Sequence, residues 1–240
     1  MPPHIQSNTH IKVLQSHFIQ SVQTIKDCPP QNCTEIAMLG RSNVGKSSII
    51  NLLLNHKLAK SSSTPGKTKL INFFSTTWEL TTNKDSTPNT HDSNAMQCKT
   101  DSMQNNQDLL QTESMRIPLI FIDFPGFGYA KVSKDTKKVW DKHLTDFIYK
   151  RQSIKLFCHL IDSRHTNLAI DTEIERFLQK IVESRQDCKL LQIYTKADKL
   201  NKSDYHKLKT QNKLTISTLK KTPQATQQLY HAILHASLNW

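Results

Sequence analysis

The chain has 240 residues, 36% of them hydrophobic, and carries 32 Lys and Arg against 20 Asp and Glu, a formal net charge of +12. That length suits one generous domain, or one domain plus additions; no uninterrupted run of about 18 apolar residues supports a membrane span, and the N-terminus lacks a signal peptide's apolar core. Five cysteines, Cys28, Cys33, Cys98, Cys158 and Cys188, are odd in number without paired metal-ligand spacing, which favours reduced thiols in a cytoplasm, and the eleven scattered histidines read as surface or structural groups.

In chain order, a strand is expected near His17 to Gln23, within an N-terminal extension over residues 1–33, ahead of a main domain over 34–240. The apolar stretch Ile36-Ala37-Met38-Leu39 reads as a buried strand near 35–40, and Ile49, Ile50, Leu52, Leu53 and Leu54 mark a helix near 47–55. Between them, Gly40-Arg41-Ser42-Asn43-Val44-Gly45-Lys46-Ser47 fits the spacing of a phosphate loop, Gly-x-x-x-x-Gly-Lys-Ser/Thr. Strand, loop and helix in that order aim backbone N–H groups and the positive helix end at phosphates. Lys46 would reach the β- and γ-phosphates, and the Ser47 hydroxyl would ligate Mg²⁺. All five glycines, Gly40, Gly45, Gly66, Gly126 and Gly128, fall in three such short segments, where backbone must approach a ligand.

Ser61-Ser62-Ser63-Thr64 reads as a polar linker, and a strand is expected near 69–79. Residues 81–115 differ in kind: 19 of 35 are Ser, Thr, Asn or Gln, with two lysines against five acidic residues, so a disordered or loosely ordered insertion is expected and the remaining chain stands at +15. Next, Leu119-Ile120-Phe121-Ile122 leads a strand near 117–123 into Asp123-Phe124-Pro125-Gly126. Asp123 would hold Mg²⁺ through water, and the Gly126 N–H would sense a γ-phosphate. Phe127 stands where many such proteins carry the glutamine that orients attacking water, and a phenyl ring neither donates nor accepts a hydrogen bond, so intrinsic hydrolysis is expected to be slow.

A helix near 135–150 and a strand near 155–161 precede Asp162-Ser163-Arg164-His165, and a further helix is expected near 169–184. The strand Leu190-Leu191-Gln192-Ile193-Tyr194 delivers Thr195-Lys196-Ala197-Asp198 at its carboxyl end, where α/β sheets bind ligands. Asp198 can accept from guanine N1–H and the exocyclic amine, an arrangement adenine lacks, and so would choose GTP over ATP. Lys196 would lie along the base and hold the loop. A helix near 201–209, a strand near 214–217 and a last helix near 223–238 complete the chain. Thr222 as N-cap and Pro223 at the first helical position would start that helix, and Leu229, Ala232, Ile233 and Ala236 form its apolar stripe. The fold class is α/β, a three-layer P-loop (Ras-like) architecture with a mostly parallel sheet.

With these elements in order, the chain resembles the TRAFAC-class GTPases of the EngB/YihA type. The segments that carry the likeness are Gly40 to Ser48, Thr64-Pro65-Gly66-Lys67-Thr68, Asp123-Phe124-Pro125-Gly126-Phe127-Gly128-Tyr129-Ala130, Asp162 to His165 and Thr195 to Asp198. The resemblance implies that Gly66, Lys67, Thr68, Lys69 and Leu70 contact nucleotide, with Thr68 completing the Mg²⁺ shell as the switch threonine. It implies that Ile216, Ser217 and Thr218 contact the O6 side of guanine. It also implies a cytoplasmic GTP/GDP switch in assembly of the large ribosomal subunit, needed for normal cell division and septation. Related GTPases with asparagine at the position of Asn43 can bind K⁺ near the phosphates; a purely turn-forming Asn43 is the equal alternative. Catalytic roles then fall to Lys46, Thr68 and Asn43.

The implied partners are a large-subunit precursor and its rRNA, with no DNA or membrane partner and a monomeric chain. Lys131, Lys134, Lys137, Lys138 and Lys142, and Lys199, Lys202, Lys207, Lys209 and Lys213, would meet rRNA phosphates or merely solvate helix faces. Asp162 to His165 would form a clamp from Arg164 to a carboxylate or touch the ribosome. A GTPase partnered with a tRNA-modifying enzyme and a cell-division scaffold with structural nucleotide are the competing functions.

Overall fold

A computed structural model describes residues 9–60, 70–82, 113–127 and 144–238. Among these, strands β1 (Thr9–Val22), β2 (Thr34–Gly40), β3 (Ile71–Thr82), β4 (Glu113–Asp123), β5 (Ile154–Asp162) and β6 (Lys189–Thr195) form one sheet in the order β1-β3-β4-β2-β5-β6. The helices are α1 (Lys46–Leu53), α2 (144–150), α3 (Ala169–Arg185), α4 (Lys202–Thr210) and α5 (Pro223–Leu238).

Six of the seven residues of β2 are buried, as suits a central strand covered on both faces. Its side chains alternate: Ile36 and Met38 join the core of α1 and α5, whereas Ala37 and Leu39 join the core of α2 and α3. Three layers follow from that alternation. β2 pairs in parallel with β4 on one side and β5 on the other, and β5 pairs in parallel with β6. Chain direction from β2 therefore diverges toward both neighbours, and the loop after Gly40 opens at the switch point where such sheets hold ligands.

The added strand is longer than the sequence suggests, beginning at Thr9, and pairs antiparallel with β3 at the sheet edge. Its backbone needs a partner on the open side, and Gln227 of α5 supplies one: Ile11 N–H donates to Gln227 Oε1 at 3.0 Å, and Gln227 Nε2 donates to Ile11 O at 2.7 Å. α5 starts as expected, with Ala225 N–H donating to Thr222 Oγ1 at 3.2 Å. Beyond the expected stripe it also buries Tyr230 and Leu234, and Tyr230 packs on Trp78 at 4.7 Å between ring centroids.

Two expectations need correction. Residues 214–217 make no strand; Thr215 forms an isolated bridge to Tyr194, because the chain turns away after Ile216. Both ends of the 81–115 insertion belong to the antiparallel ladder, since Thr81 and Thr82 pair with Ser114 and Glu113 in β3 and β4. What lies between, 83–112, and most of the expected helix 135–150 fall outside the described residues.

At the opposite end of the sheet from Gly40, Glu35 is buried and takes both arms of Arg151, from Nε and Nη2, at 2.6 Å each. The guanidinium also lies 5.0 Å from the Phe73 ring centroid. Breaking one side of such a pair leaves an uncompensated charge, so Arg151→Met is expected to cost about 3–5 kcal/mol in urea denaturation. The double variant Glu35→Leu/Arg151→Met should recover most of that loss; equal or larger loss in the double variant would contradict this account.

Candidate functional site

The phosphate-type loop, residues 40–47, runs from the end of β2 to the first turn of α1. Gly45 is the residue before the helix and has φ +102°, a conformation that side chains rarely adopt. α1 has no side-chain cap, which leaves its first N–H groups available to a ligand. At Gly126, a Cβ would stand 2.9 Å from both Cα and N of Ser42, so only glycine lets the Asp-x-x-Gly turn approach this loop. The two segments are tied by backbone bonds: Phe127 N–H donates to Gly40 O and Ser42 N–H donates to Phe127 O, each at 3.0 Å.

Lys46 leads α1, and its ammonium donates to the Asp123 carboxylate at the end of β4. Ser47 follows it on the helix, and Asp123 is buried. Phe124, Pro125 and Gly126 are buried behind them, while the Phe127 ring is half-buried against the α2 and α3 core. The side chain at 127 is aromatic and packed, as the sequence implies. Asn43 has φ +60°, a left-handed turn that asparagine tolerates, and its side chain is exposed. Leu70 is half-buried just before β3; Gly66, Lys67, Thr68 and Lys69 lie outside the described residues.

Thr195 to Asp198 are brought beside this loop although about 150 residues separate them in sequence. Thr195 Oγ1 donates to Val44 O at 2.6 Å, and Lys196 Nζ donates to Asn43 O at 2.6 Å. Lys196 has φ +58°, which turns its side chain back over the loop. A cleft of about 170 Å³ opens here, lined by Gly45, Ser48, Thr195, Lys196, Asp198 and Thr218 among others. Asp198 accepts from the Ser217 hydroxyl at 2.6 Å, and Ser217 Oγ in turn accepts from the N–H groups of Leu219 at 3.2 Å and Lys220 at 2.9 Å. Ala197 N–H donates to Ile216 O at 3.3 Å. The Ser217 hydroxyl thus orients the Asp198 carboxylate, a role that the motif alone did not assign.

Asp162, at the end of β5, was placed in a clamp by sequence but not in the site. It accepts from Arg164 Nε at 2.9 Å and Nη2 at 2.7 Å, and from Lys196 Nζ at 2.8 Å, with Arg41 Nη2 at 3.7 Å. Burial alone would raise its carboxyl, but the hydrogen bonds from Arg164 and Lys196 prevail and hold it well below the usual carboxylate range. Arg41 also lies 3.5 Å from Asp171 of α3, which His159 of β5 approaches at 3.9 Å. Burial raises the Asp171 carboxyl against the pull of Arg41, and burial pushes the His159 imidazole down to about 4, so the ring is neutral near pH 7. The signal for Asp162 was its place at a strand's carboxyl end, where α/β sheets bind ligands.

The residues fit a nucleotide with a hard divalent cation. Ser47 and Asp123 offer the oxygen donors that Mg²⁺ takes, and no cluster of three or more His, Cys, Asp or Glu among the described residues could hold a metal unaided. Lys46 and Gly45 stand at the start of α1 with Gly126 against the loop at Ser42, and Lys196, Asp198 and Thr218 line the cleft beside Gly45.

A family model described as 50S ribosome-binding GTPase matches residues 35–196. The chain is 50% identical over 193 residues to the probable GTP-binding protein EngB of Helicobacter hepaticus, spanning 80% of this chain and 72% of that protein. It is 47% identical over 213 residues to the EngB of Campylobacter lari, spanning 88% and 90%. A crystal structure of a probable GTP-binding protein engB matches with a TM-score of 0.53 at 17% identity, covering 86% of this chain and 100% of that one, a likeness of fold.

Replacing Asp162 by asparagine should expose its electrostatic part. At pH 7, Asp162→Asn leaves three cations facing a neutral amide and is expected to cost about 3 kcal/mol. A folded-state carboxyl held low stabilises fully above its unfolded value of about 3.9 and loses that contribution as pH falls toward the folded value. The gap between wild type and variant in urea denaturation should therefore shrink below about pH 4. A gap unchanged with pH would refute the assignment.

Proposed function

This chain belongs to the EngB family of GTP-binding proteins and is a P-loop GTPase, and from that premise we propose that it is a Mg²⁺-dependent GTP/GDP switch that engages a precursor of the large ribosomal subunit in the cytoplasm. Assembly of that subunit, and through it normal division and septation, is the process served. The observation that carries the reading is the pair of backbone bonds between Phe127 and the phosphate loop at Gly40 and Ser42. Phe127 is bonded to the phosphate loop, so the presence or loss of a γ-phosphate would bear on it directly. The family model's description as a 50S ribosome-binding GTPase supports the choice of partner.

In this reading Gly40 to Ser47 wrap the phosphates with backbone N–H groups, and Lys46 leaves Asp123 to meet the β- and γ-phosphates. Ser47, Thr68 and, through water, Asp123 would hold Mg²⁺, and Gly66 to Leu70 would contact the nucleotide. When bound, Mg²⁺ supplies positive charge to the phosphate oxygens. Asp198 reads guanine N1–H and the exocyclic amine, while Ser217 keeps its carboxylate aimed and the Ile216-Ser217-Thr218 backbone borders the O6 side. Phe127 cannot orient water, which makes slow intrinsic turnover the expected behaviour. Asn43 shapes the left-handed turn of the loop, and K⁺ stimulation through the same residue remains part of the proposal: hydrolysis should be faster in K⁺ than in Na⁺.

Purified large-subunit precursors provide the test. Co-sedimentation should be tight with a non-hydrolysable GTP analogue and at least tenfold weaker with GDP, and should weaken as salt rises. Binding that is equal or absent in both states would refute the assembly switch.

A further inference from the structure

The stretch from Lys199 to Lys221 holds seven lysines and a single acidic residue, Asp204. That aspartate is engaged locally: Asn201 caps α4 by accepting from Asp204 N–H at 2.8 Å and donates to its carboxylate at 2.9 Å. α4 is fastened by one buried side chain, Leu208, packed with Ile161 and Tyr194. The rest of the helix faces outward, with Tyr205 41% exposed. Lys209 Nζ stands 5.8 Å from the centroid of that ring, and Lys213 Nζ 4.8 Å from the centroid of Tyr194. Such contacts restrain ammonium groups that would otherwise wander.

An ammonium group held beside an exposed aromatic ring, Lys209 at Tyr205, matches the chemistry of a nucleic-acid strand, in which phosphates answer the charge and a base stacks on the free face of the ring. An acidic protein would satisfy the lysines but give the ring no such use. Lys199, two residues before the Asn201 cap of α4, lines the base-side cleft. Leu219, 78% exposed, stands at its lip, and the N–H groups of Leu219 and Lys220 hold Ser217 Oγ, which holds Asp198.

We propose that the face formed by α4 and residues 217–221 binds the phosphate backbone of single-stranded RNA, with Tyr205 stacking a base, and that Ser217 couples this binding to the guanine-reading Asp198. The inference rests on the assembly reading and names the surface that meets the RNA. Coupling is reciprocal: bound RNA must change GDP affinity by the factor by which GDP changes RNA affinity.

The probe is a short fluorescent oligouridylate titrated with the full chain, with and without GDP, at two salt concentrations. Wild type should bind with a log–log salt slope of about −2 to −3, corresponding to three or four phosphates. Lys202→Glu/Lys209→Glu/Lys220→Glu should weaken binding at least tenfold and flatten the slope, and Tyr205→Ala should weaken it about tenfold without changing the slope. At GDP concentrations that saturate the variant, Ser217→Ala should lose the dependence of RNA affinity on GDP. RNA binding at wild-type strength by the charge-reversed protein, once its GDP binding shows that it has folded, would overturn the surface; RNA affinity in the wild type that ignores GDP would overturn the coupling. Undiminished co-sedimentation of the charge-reversed protein with large-subunit precursors would also overturn the surface while leaving the assembly reading intact. Failure of the wild type to co-sediment would overturn the assembly reading, and the oligouridylate titration would still decide the surface.

Discussion

The Asp162 carboxylate is where two distant parts of the chain become one site. A carboxylate this buried costs several kcal/mol in lost hydration and survives only with close partners. Here Arg164 and Lys196 supply hydrogen bonds and Arg41 adds charge, one group from the strand's own loop, one from the base side and one from the phosphate loop. Lys196 also donates to the Asn43 carbonyl. The phosphate loop and the base loop are consequently fixed to each other before any ligand arrives. Affinity then need not be spent on bringing them together.

That junction depends on sheet register. β5 runs parallel to β2 with Gly40 opposite Leu160, and parallel to β6 with Asp162 opposite Thr195. These pairings bring the ends of β2, β5 and β6 to one rim, where Arg41, Asp162 and Lys196 meet. Gly40 is required there because a Cβ would stand 2.7 Å from the Leu160 carbonyl oxygen. Asp123 reaches the same rim from the other side of β2 and meets Lys46. A ligand spanning phosphates and base would meet groups from four strand ends, which three parallel pairings hold at one rim.

Much of this was legible in the sequence, for local reasons. The phosphate loop is a contiguous run whose glycines answer backbone needs, and Thr222 and Pro223 start α5 through bonds within a few residues. The hydrophobic alternation of β2 shows in its own letters. What escaped was long-range. Nothing near Lys196 announces that its ammonium will meet the Asn43 carbonyl, and nothing near Ser217 reveals that its hydroxyl will hold Asp198. The β propensity of Leu214 to Ser217 suggested a strand, but the segment lies beyond β6 with only Tyr194 to pair with. The early start of β1 escaped because strand length there is set by β3, which pairs with it from Thr9 to Val22.

Nucleotide affinity of a Lys196→Met variant tests the preassembled site most directly. GDP and ADP are titrated against wild type and variant by calorimetry. If Lys196 joins the two halves, the variant should lose at least a hundredfold in GDP affinity, about 3 kcal/mol as expected for charged hydrogen bonds, and its preference for GDP over ADP should fall at least tenfold. An unchanged GDP affinity, or a preference retained in full, would mean that the phosphate and base loops are held together by something other than the Lys196 bridge.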